Sequence, residues 1–322
     1  MVDLSIVIVS WNVRDLLRQC LRSIFANLQL ADLPTCEVIV VDNVSTDGSP
    51  ELVQAEFPNV HLIANAENRG FPAANNQGVT VAQGRYVLIL NPDTKVVGDA
   101  LAAMVAYADA NPDVGVVGPQ LLNEDGSVQS SRRRFPTPAT AVFESTWLQP
   151  YAPRRLLERY YVQDQPDDAT LDVDWVKGAA LMARQEAIEQ VGPMDAGYFM
   201  YSEELDWCRR FKDAGWRVVY LPTAQIVHYG GKSSDQVVTS RHIHFQTSKV
   251  RYFHKFHGRF VGELLRWFLL GNYVWQLGLE GAKWLVGHKR PLRAERSAAY
   301  RQILRSRLLP AKAPGEESEM RE

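Results

Sequence analysis

Two oxygen-bearing side chains, Asn91 and Asp93, follow the short apolar run Y-V-L-I-L at residues 86–90. The run is rich in β-formers and ends in Asn-Pro, so it reads as a buried central strand stopped by a turn. In an open α/β sheet, ligands bind beyond the carboxyl ends of the strands. A carboxylate there suits a hard cation, and a hard cation suits a diphosphate. Taken alone, Asn-Pro-Asp is equally a turn with a capping Asp. Two further strand ends change the balance: Ser10 and Asn12 follow the first apolar run, and Asp42 follows the second. Parallel strands would bring all three ends to one edge of a sheet.

A second constellation is Y-F-M-Y-S-E-E-L-D-W-C-R-R at 198–210. Ser202 suits a helix N-cap. Glu203, Glu204 and Asp206 would crowd the first turn, where acids face the macrodipole favourably. Arg209 and Arg210 stand at i+3 and i+4 from Asp206. Helical spacing groups Glu204 with Cys208 and Phe211 on an inward face, and Glu203 with Trp207 and Arg210. An inward carboxylate at a helix start suits a general base. His228 is the third piece, because a neutral imidazole can complete a metal site begun by Asp93. A lone His is also a common structural residue. Arg132–Arg134 and Lys232 could neutralise phosphates, although such charges also serve as solvated surface.

The elements that must carry these residues follow from periodicity. Apolar runs at 4–10, 36–41, 60–64, 86–90 and 114–117 read as strands. Helical spacing appears at 17–28, 50–56, 73–82 and 98–110. Strands alternating with helices mean βαβ units and a mostly parallel sheet. The pattern breaks at a hairpin-like turn, 123–126, and then at a loop, 130–138. Residues 139–170 are weakly patterned and read as helix with a mobile linker. Regular structure resumes over 171–184, followed by helices near 184–191 and 202–214. A strand at 216–221 is closed by Pro222. There is no G-x-G-x-x-G after the first strand and no G-x-x-x-x-G-K-[ST], which argues against dinucleotide and P-loop sites.

The 322 residues suit one large domain with an extension. An apolar fraction of 46% and a charged fraction of 22% are ordinary for a globular protein. Three scattered cysteines argue against a disulfide framework or zinc site and fit a reducing compartment. The N-terminus lacks the pattern of a secretory signal. Net charge is −2, unevenly placed: −10 over residues 1–248, +11 over 249–312 and −3 over 313–322. A basic segment on an acidic body implies an anionic partner for that segment. Residues 264–287 are rich in Leu, Trp, Phe and Tyr but interrupted by charge, too polar for a spanning helix. They read either as an interfacial helix flanked by Arg and Lys or as the core-packing helix of a C-terminal subdomain. These divisions give a catalytic domain over 1–248, with a nucleotide half of about 1–120 and an acceptor half of about 171–230. A basic aromatic helical extension follows over 249–310, and 311–322 reads as a disordered tail.

The chain resembles the inverting family 2 glycosyltransferases of GT-A fold, especially bacterial rhamnosyltransferase-like members. The resemblance rests on S-I-V-I-V-S-W-N (5–12), V-D-N-V-S-T-D-G-S (41–49), E-N-R-G-F-P-A-A-N-N-Q-G (67–78) and L-N-P-D (90–93). It continues in W-V-K-G-A-A-L-M-A-R (175–184), V-G-P-M-D-A-G-Y-F-M-Y-S-E-E-L-D-W-C-R-R (191–210) and His228. It implies an α/β GT-A fold and nucleotide binding by Ser10, Asn12, Asp42, Asn68, Gly70 and Asn75. It implies Mg2+ or Mn2+ held by Asp93 and His228, with Asn91 in the first position of the family's D-x-D motif. Arg132 and Lys232 would meet the diphosphate. The catalytic base would be Glu204, with Glu203 as the alternative. Trp175, Gly178, Tyr198 and Tyr201 would meet the acceptor. The donor implied is dTDP-rhamnose, and the acceptor a saccharide or lipid-linked saccharide. The location implied is cytoplasmic, peripheral on the inner membrane through 249–290, with no nucleic-acid partner.

Two rival readings use the same sheet. A nucleotidyltransferase would carry a Gly-rich basic loop after the first strand, and Trp11-Asn12-Val13 is not one. A non-catalytic carbohydrate- or membrane-binding protein would be indifferent to loss of Asp93 and Glu204.

Overall fold

Every residue of the first strand, β1 (Leu4–Ser10), is buried, which places it inside the sheet with helices on both faces. Alternate side chains leave a strand on opposite sides. Leu4, Ile6 and Ile8 join one apolar core, while Val7 and Val9 join the other. The computed structural model describes residues 2–28, 35–144, 146–230 and 238–310. Lys232 and the segment 311–322 lie outside the described residues.

After β1 come α1 (Arg14–Asn27), β2 (Cys36–Asp42), α2 (Ser49–Glu56), β3 (His61–Ala64), α3 (Phe71–Val81) and β4 (Tyr86–Leu90). Then follow β5 (Thr94–Val97), α4 (Ala100–Ala110), β6 (Val114–Leu122), β7 (Val128–Gln129), β8 (Arg132–Arg133), α5 (Pro138–Phe143) and α6 (Arg154–Tyr160). The chain continues with β9 (Leu171–Asp172), β10 (Trp175–Val176), β11 (Ala180–Arg184), α7 (Gln185–Val191), α8 (Glu203–Asp213) and β12 (Arg217–His228). It closes with α9 (Val238–His257), α10 (Arg259–Leu285) and α11 (Arg290–Ser306).

Contacts group the described residues into two units. The first takes in Met1–Phe135, Glu158–Ala196 and Glu203–Ser233, and the second Pro136–Leu157, Gly197–Ser202 and the residues from 238 onward. The step in charge after residue 248 falls inside α9, so the composition boundary and the structural boundary do not coincide. The segment 139–170, read as partly linker, contains α5 and α6.

In the first unit the sheet runs β3-β2-β1-β4-β11-β6-β12-β5. Strands β1 to β4 pair in parallel. Strand β11 is antiparallel to both β4 and β6, and β5 is antiparallel to β12. The sheet is therefore parallel on the side of β1 and mixed beyond β4. Strand β12 does not stop at Pro222. It continues to His228 across a register shift between Leu221 and Gln225, which accommodates the missing proline donor. That extension, paired with β5 at His228↔Thr94, carries His228 to the end of β4. The loop expected at 130–138 contains β8, which pairs with β10 through Arg133↔Trp175.

The second unit is helical. Helix α10 turns Leu265, Leu269, Leu270 and Tyr273 inward, and α11 contributes Ile303. Helix α11 lies within the segment read as a helical extension, and its inward positions include Arg293 and Ser297, an unusual place for a cation. The Arg293 guanidinium is paired with the buried Glu280 of α10 at 2.9 Å.

Candidate active site

At the ends of β1 and β2, Ser10 and Asp42 sit opposite each other in register, both buried. The loop after β2 folds back by polar contacts. The Ser45 amide donates to Asp42 Oδ2 (2.8 Å), and the Thr46 amide donates to Asn12 Oδ1 (2.8 Å). Asn12 takes a left-handed φ of 52°, which Asn tolerates. Val44 does so at 63°, a costly conformation for a β-branched residue and one that clusters at binding sites. Burial pushes the Asp42 carboxyl up, against the opposing hydrogen bond from Ser45. Near the start of α3, Asn68 Oδ1 accepts from the Gly70 amide at 3.0 Å. Gly70 needs its φ of 80°, a region that favours glycine. Asn75 is fully buried and donates to the Phe71 carbonyl.

Buried polar atoms without a partner are rare and each needs a reason. Among the described residues they include Ser10 Oγ, Asp42 Oδ1, Asn75 Oδ1, Glu204 Oε2 and His228 Nε2. All five residues are site candidates read from the sequence. A polar ligand at this edge could meet these five atoms; unpartnered atoms also occur at Asn27, Gln185 and Gln246, which are not site candidates.

The end of β4 and the end of β12 bring Asp93 and His228 together, each only 4% exposed. His228 Nε2 stands 3.4 Å from Asp93 Oδ1. On the other side of the ring, His228 Nδ1 is 2.7 Å from Gln129 Oε1. That oxygen also accepts from Lys177 Nζ at 3.0 Å, which fixes it as the carbonyl end of the amide. In the neutral ring the proton is then on Nδ1, and the Nε2 lone pair faces a carboxylate. A carboxylate oxygen and an imidazole nitrogen this close in a buried site are atoms that could together ligate a divalent cation. No third His, Cys, Asp or Glu joins them among the described residues, so ligand oxygens would complete the shell. Asn91 is less buried, and its carbonyl accepts from Thr94 Oγ1.

Helix α8 begins at Glu203, after left-handed Tyr201 (φ 71°) and Ser202 (φ 66°). A φ of 66° is not the extended backbone expected of an N-cap at Ser202. The periodicity reading of the two acids needs correcting as well. Trp207, Cys208 and Phe211 are all fully buried, so α8 is covered on more than one face. Glu203 is the more enclosed acid at 4% exposure, while Glu204 is only partly covered. Burial raises both carboxyls. The Glu204 charge adds to the effect at Glu203, whereas Lys177 and nearby backbone amides oppose it at Glu204. Glu204 lies against Gly178, where an added Cβ would come within 3.3 Å of the Glu204 Cβ. The close approach that Gly178 permits is thus to Glu204.

Lys177 and Gln129 were not singled out by the sequence reading. Burial lowers the Lys177 ammonium, Arg133 adds to this, and the Glu204 and Asp93 charges oppose it. Lys177 therefore sits within the field of both carboxylates. Its only sequence signal is a cation beside the Gly of W-V-K-G. Gln129 is delivered by the hairpin turn at 123–126, through Leu121↔Gln129 pairing.

Arg132 is turned elsewhere: it bonds the Gln165 carbonyl, pairs with Asp167 at 2.8 Å and stacks on Tyr220. Trp175 Nε1 donates to the Arg134 carbonyl, with its ring partly buried. Tyr198 and Tyr201 belong to the second unit, where Tyr198 lies beneath Arg251 and Tyr201 meets Phe245 edge-on.

Comparisons with known proteins identify the family. Residues 5–172 match the model of Glycosyl transferase family 2. An N-acetylglucosaminyl-diphospho-decaprenol L-rhamnosyltransferase of Mycobacterium tuberculosis (strain ATCC 25618 / H37Rv) is 31% identical over 265 residues, covering 78% of this chain and 85% of that one. Rhamnosyltransferase WbbL of Escherichia coli (strain K12) is 25% identical over 244 residues, covering 70% and 82%. The mannosyltransferase PcManGT from Pyrobaculum calidifontis, solved with GDP-Man and Mn2+, superposes with a TM-score of 0.54 at 19% identity. The match covers 95% of this chain and 84% of that one. That last likeness speaks for the fold, which is that of the GT-A glycosyltransferases. With the family model spanning more than half of its length, the chain belongs to glycosyltransferase family 2, as a rhamnosyltransferase-like member.

Proposed function

We propose that this glycosyltransferase takes its sugar from a nucleoside diphosphate donor and transfers it with inversion in cell-surface polysaccharide synthesis. The donor is dTDP-rhamnose, and the acceptor is a saccharide or lipid-linked saccharide. The observation that carries the reading is the buried pair Asp93 Oδ1 and His228 Nε2, 3.4 Å apart at the ends of β4 and β12. Support for the sugar comes from the rhamnosyltransferase relatives. Ser10, Asn12, Asp42, Asn68, Gly70 and Asn75 hold the nucleotide, using the unpartnered atoms at the ends of β1 and β2 and within α3. Asp93 and His228 would hold Mg2+ or Mn2+, with Asn91 as a further ligand. The cation, when bound, supplies positive charge to the leaving diphosphate.

Glu204 takes the proton from the acceptor hydroxyl. That oxygen attacks the anomeric carbon from the face opposite the diphosphate, and the bond to the diphosphate oxygen breaks with its electron pair. One displacement inverts the configuration. Glu204 is preferred to Glu203 because a base must reach its substrate, and Glu203 is nearly sealed. Trp175 supplies an apolar face to the acceptor. Helix α10 would rest on the anionic inner face of the membrane, through an exposed row of Phe260, Leu264, Trp267, Val274 and Trp275 beside basic residues.

The test is transfer from dTDP-rhamnose to a lipid-diphosphate saccharide analogue, with the linkage read by NMR. The account expects cation-dependent transfer, abolished by EDTA, with the linkage opposite in configuration to the donor. A retained configuration, or pyrophosphate release in place of transfer, would overturn it.

A further inference from the structure

We infer that Gln129, clamped by Lys177, is a positioning residue that sets the tautomer of His228 and thereby tunes the cation site. This rests on the metal-dependent reading above and deepens it. A metal-bound histidine needs its other ring nitrogen held, because that bond fixes the ring and raises ligand basicity. Here the holding group is unusual. It is a neutral amide whose oxygen accepts two donors, His228 Nδ1 at 2.7 Å and Lys177 Nζ at 3.0 Å.

The amide cannot turn over without loss. Its Nε2 donates to Asn123 Oδ1 at 3.0 Å and to the His228 carbonyl at 3.2 Å. Reversal would point NH2 at the Lys177 ammonium and would leave Asn123 Oδ1 and the His228 carbonyl facing an oxygen. Lys177 can only donate, so it selects the carbonyl orientation. The Gln129 side chain therefore reads the β6–β7 hairpin, β12 and the W-V-K-G segment at once, and converts their alignment into a single protonation site on His228. A glutamate at 129 would accept the same two bonds, and an apolar side chain would accept neither.

Two measurements on the whole chain test this. In the metal-free protein labelled with 15N-histidine, His228 is expected as the Nδ1–H tautomer. An Nε2–H tautomer would overturn the inference without any variant. Mn2+ affinity is then measured by EPR with saturating dTDP. Gln129→Leu is expected to weaken Mn2+ binding about 10–100-fold, and Gln129→Glu to restore it to within a few-fold of wild type. Unchanged Mn2+ affinity in folded Gln129→Leu, with wild type still binding, would overturn the positioning role and leave the metal-dependent function standing. Failure of wild type to bind Mn2+ would overturn both.

Discussion

At the scale of single residues, the site turns on two neighbouring acids that the sequence presents as near equivalents. Each has a buried, unpartnered Oε2, but Glu203 is only 4% exposed, while Glu204 is partly covered and lies against Gly178. Glu204→Gln should lower kcat about 10²–10⁴-fold, the usual worth of a general base. Glu203→Gln should leave kcat within a few-fold of wild type, and steady-state rates at saturating donor distinguish the two. As the proposed base, Glu204 must be ionised, and burial raises its carboxyl above the ordinary 4.5. Activity is therefore expected to rise with pH, with the acid limb of the kcat/KM profile at a midpoint above 4.5, and Glu204→Gln should remove that limb. Asp93, His228 and Glu204 could be read in the sequence because strand ends and motif order carry them. Gln129 and Lys177 could not, because their bonds to each other and to His228 span 48 and 99 residues of chain. No local pattern encodes a contact of that range.

At the scale of elements, strand and helix order was legible through β4 and again at α4, where βαβ periodicity is strong. It was less so where tertiary pairing overrides local preference. Strand β5 has only four residues and exists because β12 passes beside it. Strand β12 runs through Pro222, which local rules read as a stop. The closeness of α3 to β1 gives an element-scale prediction. Gly78 sits where an added Cβ would collide with the Val7 side chain. Gly78→Ala gains about 1 kcal/mol of helix propensity. Overpacking a core costs about 1–3 kcal/mol. A net destabilisation of up to about 2 kcal/mol is expected, read as a lower urea midpoint at unchanged slope. An unchanged or higher midpoint would mean that α3 can move away from β1 at little cost.

At the scale of the whole molecule, the second unit explains why residues 264–287 looked like two things at once. Helix α10 is 27 residues long and buries one face in its own unit, while Phe260 and Trp267 stay exposed at 81% and 63%. No helix among the described residues is long and apolar enough to cross a membrane. The double variant Leu264→Glu, Trp267→Glu should lose binding to vesicles containing anionic lipid, measured by flotation. Its transfer to a water-soluble acceptor analogue should stay near wild type. The central claim is the proposal that the first unit holds nucleotide and cation together at one sheet edge. It is tested most directly by isothermal titration of dTDP into the protein with and without Mn2+, in wild type, Asp93→Ala and His228→Ala. The account predicts tight binding only with Mn2+, with the metal-dependent part lost in Asp93→Ala and strongly weakened in His228→Ala. Equal affinity with and without the cation, or metal-dependent binding that survives Asp93→Ala, would contradict it.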